Sequence, residues 1–267
     1  INVGEKGRLE VRITLAGRAA HAASPWLGDN PAFRLAEVLS RLAAYQPDLD
    51  VSHAFFGHVQ RLLGLEEAIT VDNVDVLAER VSAHNRPLGS LMRGLSRMTF
   101  TPTVFSGGVK SNSVPARVSL VCDIRTLPQQ DEAYVRRQIE QVLAGIEGAT
   151  YDLIYTAVPS ASPYDTPFAA ALRRATEAAV NRPGIIWLPG FIAGFTDSRL
   201  VRPLGTVVYG FGPQHPDCDM TILSGAHGAN ESADIRSLLF QTKMLIALAC
   251  DVLQAENVDG RTTPAGH

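Results

Sequence analysis

The sequence is poor in cysteine. Only 3 of its 267 residues are cysteine, namely Cys122, Cys218 and Cys250. They stand far apart and form no C-x-x-C pair, so neither a disulfide framework nor a cysteine zinc site is expected. Isolated thiols in an odd number are typical of a reducing compartment, and we therefore expect the protein to be cytoplasmic.

Long apolar runs and blocks of one charge are also missing. The most apolar stretch, residues 238–253, contains Gln241, Lys243 and Asp251, which make it too polar and too short for a bilayer span. The 24 basic and 27 acidic residues are interspersed and leave a formal net charge of -3. Such a balance gives no surface suited to nucleic acid or anionic lipid. We therefore expect small molecules or protein as partners, and neither nucleic acid nor membrane.

The amino terminus lacks the order of basic, apolar and small residues that marks a signal peptide, and it has no initiator methionine. This indicates that the chain is a fragment. The chain also lacks a G-x-S-x-G sequence, the turn that carries the nucleophile of an α/β-hydrolase. A serine hydrolase is therefore disfavoured.

Residues 8–157 show the order strand, helix, strand, strand, helix, strand. Asn30 before a proline predicts the start of the first helix, and Asp131 and Glu132 suit the first turn of the second. This order is that of a ferredoxin-like α+β domain, which we predict for residues 8–158 with a helical insert at about 46–96. Period-two alternation places its strands at residues 8–17, 98–108, 116–127 and 150–158.

A Pro/Ser-rich linker, PSASPYDTP, separates this domain from a different pattern. Short unbroken apolar runs predict covered strands at residues 184–190 and 205–212, between a helix at 168–180 and a final helix from about Ser232. These strands are too few for a whole sheet. We predict part of an α/β layer domain over residues 159–253, followed by a tail at 254–267. The predicted buried stripe of the final helix is Ile235, Leu238, Leu239, Leu245, Ile246, Ala249 and Leu253.

Five motifs follow one another along the chain: GEKG, GRAAHAASPWLGDNPA, TPTVFSGGVKSNSVPARVSLVCDIRTLP, GFTDSRL and AHGANE. In order and spacing they resemble the dizinc metallopeptidase family that includes aminoacylase, carboxypeptidase G, succinyl-diaminopimelate desuccinylase, carnosine dipeptidase and carboxypeptidase S. The resemblance implies an α/β domain with two zinc ions, interrupted by a ferredoxin-like lid through which two subunits form a homodimer. This chain resembles the lid and the C-terminal part of the catalytic domain.

The activity implied by this resemblance is metal-dependent hydrolysis of an amide or peptide bond. The substrate is a small peptide or an N-acyl amino acid, cleaved by a dipeptidase, carboxypeptidase or N-acyl-amino-acid amidohydrolase. The family's other metal ligands and its catalytic glutamate pair lie upstream of the lid, where this sequence has no residues. A non-catalytic dimerisation or binding module is the alternative.

Two histidines match functional positions of the family. His227 in AHGANE matches a zinc ligand, since neutral imidazole suits zinc; without the resemblance it is a polar residue at a helix start. His21 in AAHAAS matches a lid histidine that polarises the scissile carbonyl in the neighbouring subunit, the alternative being a surface histidine. Glu231 either orients the ligand or interacts with the helix dipole. The remaining histidines, for which no role is predicted, are His53, His58, His84, His215 and His267.

Four further residues match substrate-binding positions. Asn112 in SNSVP and Arg125 in DIR match the amide and the guanidinium that bind substrate, and a guanidinium can hold a carboxylate through two hydrogen bonds. Their alternatives are a turn asparagine and an arginine paired with Asp123 or Glu132. Thr196 and Arg199 in FTDSR match a substrate loop in which a glycine usually precedes the threonine. Here Phe195 replaces that glycine.

Overall fold

The structure is a computed structural model that describes residues 1–192, 194–219, 222 and 229–259, with side chains described as far as residue 253. Internal contacts divide the chain into two compact units. The sheet unit comprises Gly4–Ser162 and Gly190–Val208, and the helix unit comprises Ile1–Val3, Pro163–Pro189 and Tyr209–His267. The predicted domain limits at residues 158 and 253 stay a prediction.

The regular elements are named in chain order. The strands are β1 (Asn2–Glu5), β2 (Gly7–Ala16), β3 (Ala20–His21), β4 (Thr99–Gly107), β5 (Ser113–Val114), β6 (Arg117–Thr126), β7 (Ala149–Ala157), β8 (Ser160–Ala161) and β9 (Gly190–Ile192). The helices are α1 (Pro31–Ala43), α2 (Ala54–Leu62), α3 (Val74–Ser82), α4 (Arg86–Leu95), α5 (Glu132–Leu143), α6 (Pro167–Val180), α7 (Ser198–Val201) and α8 (Ile235–Asp259).

The sheet unit is built on four antiparallel strands in the order β4-β6-β2-β7. Strand β2 alternates as its sequence predicts, with Val11, Ile13 and Leu15 fully buried. Helices α1 and α5 contribute apolar residues to the same core. They begin at the predicted caps, where the side chains of Asn30 and Asp131 accept backbone hydrogen bonds. The predicted ferredoxin-like fold is therefore confirmed.

The segment between α1 and β4 contains the helices α2, α3 and α4. Helices α3 and α4 pack against each other, and Leu77 and Met92 are buried. In the same unit, β1 lies between β8 and β9 in a small three-stranded sheet. The charged residues that end β1 and follow it, Glu5 and Lys6, are both buried.

In the helix unit, α6 packs against α8 through a small apolar core that includes Leu172, Ala175, Met244 and Leu248. The predicted buried stripe of the final helix is wrong. Its large members are 57% to 75% exposed, and Ala249 is exposed as well. Helix α8 is apolar on two sides, so periodicity alone does not identify the side that packs against α6. The exposed large residues of the predicted stripe are Ile235, Leu238, Leu239, Leu245, Ile246 and Leu253.

The two short strands predicted in the second half of the chain are also wrong. Within the described residues, segment 184–189 has no ladder, and segment 205–212 makes only an isolated bridge from Gly210 to Asn2. An apolar segment becomes a strand only when a neighbour accepts and donates its backbone hydrogen bonds. Strand β9 begins where the first predicted strand was expected to end.

In the part of the chain that the structure describes, no helix combines the length and the apolar character needed to cross a membrane.

Candidate substrate-binding site

The loop that carries His21 is fixed at its base. Arg18 and Asp29 exchange two backbone hydrogen bonds of 2.8 Å, and both carboxylate oxygens of Asp29 accept from the Arg34 guanidinium at 2.8 and 2.9 Å. His21 itself lies on β3 and is exposed. Its Nδ1 accepts a hydrogen bond from Ala23 N at 3.1 Å. In the neutral ring this leaves the proton on Nε2, so His21 offers an N–H donor towards solvent.

His21 and Asn112 are brought together by the pairing of two short strands. His21 on β3 pairs with Ser113 on β5, and Ala22 N donates to Asn112 O at 3.0 Å. Asn112 is exposed just before β5. The exposed imidazole and the exposed amide therefore share one rim of the sheet unit, near the end of β2 and the start of β6.

Arg125 lies at the other end of β6 and forms an ion pair with Asp123. Arg125 Nε is 2.6 Å from Asp123 Oδ1, while Arg8 on β2 donates to Asp123 Oδ2 at 2.8 Å. Burial raises the pKa of the Asp123 carboxyl, but the hydrogen bonds from Arg125 and Arg8 outweigh it and hold that pKa below its ordinary value. The pairing with Asp123 is one of the alternatives that the sequence left open. It leaves the Arg125 side chain 25% exposed.

The FTDSR loop lies at this same end of the sheet. The ring of Phe195 is 5.8 Å from the ring of Tyr155 on β7, and its centroid is 5.9 Å from the Arg8 guanidinium and 5.1 Å from the Arg199 guanidinium. Cations over an aromatic face are attracted to it. The phenylalanine that replaces the family's glycine thus attaches the loop to β2 and β7.

Thr196 and Arg199 are connected within this loop. Thr196 N donates to Glu5 Oε2 at 2.9 Å, and the Thr196 hydroxyl donates to Glu5 Oε1. Arg199 Nη1 donates to Thr196 O at 3.0 Å. The carboxylate of Glu5 is in turn 3.9 Å from Arg202 Nη1. Sequence reasoning used GEKG as a motif but gave no role to Glu5.

The candidate residues of the sheet unit therefore form two groups. His21 and Asn112 lie beside the β2 end that pairs with Arg117, whereas Arg125 lies at the opposite end of β6. Arg117 and Arg125 are eight residue steps apart along the extended strand, a span of roughly 26 Å. One small substrate cannot reach both groups of the same sheet unit.

The described residues by themselves form no metal site. Among them, no three His, Cys, Asp or Glu side chains come together as a cluster that could hold an ion. His227, the predicted zinc ligand, lies outside the described residues. Its role stays a prediction.

Comparison with known proteins identifies the sheet unit. A sequence profile of the peptidase dimerisation domain matches residues 3–149, more than half of the chain. A probable succinyl-diaminopimelate desuccinylase of Staphylococcus epidermidis is 25% identical over 172 residues, which are 63% of this chain and 38% of that protein. The N-fatty-acyl-amino acid synthase/hydrolase of Bos taurus is 25% identical over 276 residues, which cover 100% of this chain and 52% of that protein.

Solved structures share the fold. The novel di-peptidase Dug1p from Saccharomyces cerevisiae superimposes with a TM-score of 0.60 at 17% identity. The match covers 92% of this chain and 54% of the Dug1p chain. The curated relatives are longer, and the chain spans about half of their length or less. The profile match over residues 3–149 shows that the chain belongs to the M20 peptidase family, whose dimerisation domain it carries.

Proposed function

We propose that this chain is the dimerisation and C-terminal part of a metal-dependent hydrolase that cleaves amide or peptide bonds in small peptides or N-acyl amino acids. The observation that carries the proposal is the His21 and Asn112 pair on an exposed rim of a peptidase dimerisation domain. The names of the relatives support it, because a di-peptidase and an acyl-amino acid hydrolase both act on a carbonyl bonded to nitrogen.

In this proposal His21 acts on the carbonyl oxygen. Its Nε2 proton can be donated to the oxygen on which negative charge develops, and one such donor contributes about 3 to 4 kcal/mol to lowering the barrier. The amide of Asn112 can donate to a carbonyl and accept from an N–H of the same substrate. Arg125 and Arg199 suit a substrate carboxylate at the other end of the sheet.

Zinc is the metal we propose, with His227 as one ligand and the other ligands in the N-terminal part that the longer relatives possess. In such a site the metal activates the attacking water.

A homodimer through the sheet unit completes the proposal. The length of β6 from Arg117 to Arg125, roughly 26 Å, supports a composite site in which His21 and Asn112 come from one subunit and Arg125 and the metal come from its partner. Strand β4 is an edge of the sheet, and Val104 and Phe105 on it are 55% exposed. Phe33 on α1 is 78% exposed. A contact about a two-fold axis, the commonest symmetry of homo-oligomers, can pair this edge and cover these side chains.

Mixed dimers test the composite site. The experiment uses the chain extended by the N-terminal part that the longer relatives possess. The His21→Ala and His227→Ala variants of this extended protein are prepared separately and then mixed. We expect each variant to be nearly inactive alone, and the mixture to recover activity in dimers that carry one intact composite site. Heterodimers verified by native mass spectrometry that stay as inactive as their parents would show that His21 does not act across the interface.

The alternative is a non-catalytic dimerisation or binding module. One observation favours it: the profile that matches residues 3–149 is that of a dimerisation domain. Zinc measured by mass spectrometry after dialysis of the extended protein separates the two functions, because a hydrolase should retain close to stoichiometric zinc and a binding module none.

A further inference from the structure

Glu5 is a buried carboxylate, and both of its oxygens accept hydrogen bonds from a single residue, Thr196. Its side chain is 5% exposed, and the oxygens accept from the backbone N–H and the hydroxyl of Thr196. The closest cation is the guanidinium of Arg202, at 3.9 Å and itself 4% exposed. A carboxylate is rarely buried without such partners. Arg202 donates its hydrogen bonds to Val208 O and to Ser160, so its charge lies beside Glu5, while Glu5 holds Thr196 through two hydrogen bonds.

The hydroxyl of Thr196 has no proton left for a substrate. That proton is donated to Glu5, and the same oxygen accepts from Ser198 N at 3.2 Å and lies 2.8 Å from Ser198 Oγ. A hydroxyl has a single hydrogen to donate. Thr196 therefore belongs to the framework of the loop.

The side chain of Arg199 is held in place by this framework. Its Nη1 donates to Thr196 O at 3.0 Å, and its guanidinium covers the ring of Phe195 at 5.1 Å. The neighbouring Asp197 is 3.5 Å away, but its side chain is 95% exposed and screened by water. A guanidinium fixed by a carbonyl and an aromatic ring keeps further N–H groups for a ligand.

We infer that Glu5 is a positioning residue: by fixing Thr196 it sets the place of Arg199, and Arg199 is the group of this loop that meets the carboxylate of a substrate. The substrate part of this inference rests on the proposed function. The positioning part concerns the chain alone and can be measured on it without substrate or metal.

Limited trypsin digestion of the chain measures whether the loop is held. Trypsin cuts after Arg199, whereas the bond after Arg202 is protected by Pro203, so this loop yields one cut. The cut requires the loop to open, and its rate follows the open population. Glu5→Gln removes the charge and one of the two acceptors, and we expect the cut after Arg199 to become about tenfold faster. The cut after Lys110, in a separate exposed loop, is the reference in the same digest.

The substitution Glu5→Gln removes the carboxylate beside the buried Arg202 and can prevent folding. Variants of Thr196 keep the test valid in that case. Thr196→Val removes the hydroxyl and should speed the cut after Arg199 about fivefold, while Thr196→Ser restores the hydroxyl and should stay within about twofold of the parent chain. Glu37→Gln is the matched control, because Glu37 pairs with Arg41 on the surface of α1. We expect it to leave the digest unchanged.

Two results would overturn the inference. One is a folded Glu5→Gln chain whose cut after Arg199, relative to Lys110, matches the parent. The other is a Thr196→Ser chain that is cut as fast as Thr196→Val. Failure of the proposed function gives a different pattern: the loop responds as expected in the digest, while the extended protein hydrolyses neither dipeptides nor N-acyl amino acids.

Discussion

Replacing Lys6 by methionine should remove a pH dependence from the unfolding of the sheet unit. Lys6 is 1% exposed, and its ammonium donates to Gly94 O in the last turn of α4 at 2.6 Å and to Arg97 O just beyond that helix at 2.7 Å. Burial, together with the positive charges of Arg125 and Arg97, lowers the pKa of Lys6 from 10.5 to about 8.

The direction of this pH dependence follows from how often Lys6 is protonated in the folded and in the unfolded chain. Between pH 8 and 10.5 the unfolded chain holds the Lys6 proton more often than the folded chain, so the free energy of unfolding rises as pH rises through this window. A fall in pKa from 10.5 to about 8 corresponds to about 3 kcal/mol over the whole window. Of this, about 2 kcal/mol falls between pH 7.5 and 10.

Urea unfolding followed by circular dichroism measures this difference. The free energy of unfolding of the parent chain, minus that of Lys6→Met, should increase by about 2 kcal/mol between pH 7.5 and 10. Lys110→Met is the matched control, because Lys110 is exposed and should change no slope. Parallel pH profiles of the parent and Lys6→Met would refute the reasoning, whichever of the two is more stable at pH 7.

Three further changes have defined outcomes. Asp131→Ala removes the cap whose side chain accepts from Tyr134 N at 2.7 Å, and it should lower the free energy of unfolding by about 1 kcal/mol, measured with urea, while Asp131→Asn largely preserves it. Burial raises the pKa of the Cys122 thiol to about 12, so iodoacetamide at pH 8 should label exposed Cys250 and leave Cys122 unmodified in peptide mass spectra. A methyl group on Gly4 would overlap the ring of Phe191, so Gly4→Ala should reduce stability by about 1 to 3 kcal/mol, and an unchanged melting temperature would contradict this contact.

The parts of the fold that sequence predicts are those set by near neighbours along the chain. The alternation of β2 and β6 fixes which residues face the core, and Asn30 and Asp131 cap helices only two or three residues away. Helix α8 shows the limit of this reasoning. Its packed side, with Phe240 and Met244, is chosen by α6, and periodicity contains no information about that partner.

In the candidate site, too, local motifs identify some residues, and only the fold shows which of them lie together. His21 and Asn112 were found through local motifs, and pairing between β3 and β5 was needed to put them side by side. The contact between Glu5 and Thr196 joins residues 191 positions apart, and the contact between Lys6 and Gly94 joins residues 88 apart. The signal in the sequence that could have identified these contacts is the pair of adjacent charged residues, Glu5 and Lys6, at the junction of β1 and β2. A charged side chain at such a place is buried only when it has a partner.

The exposed side of α8 affects the behaviour of the chain in solution. Ile235 is 75% exposed and Leu238 63%, and further large apolar residues continue along the same helix. A surface of this kind favours reversible clustering, which strengthens when sulfate drives apolar groups out of water. A two-fold pair closes at two copies, but an apolar stripe sets no such limit. Particle mass that keeps growing along a sulfate series therefore reports on α8, whereas a mass that stops at twice the chain shows a closed pair.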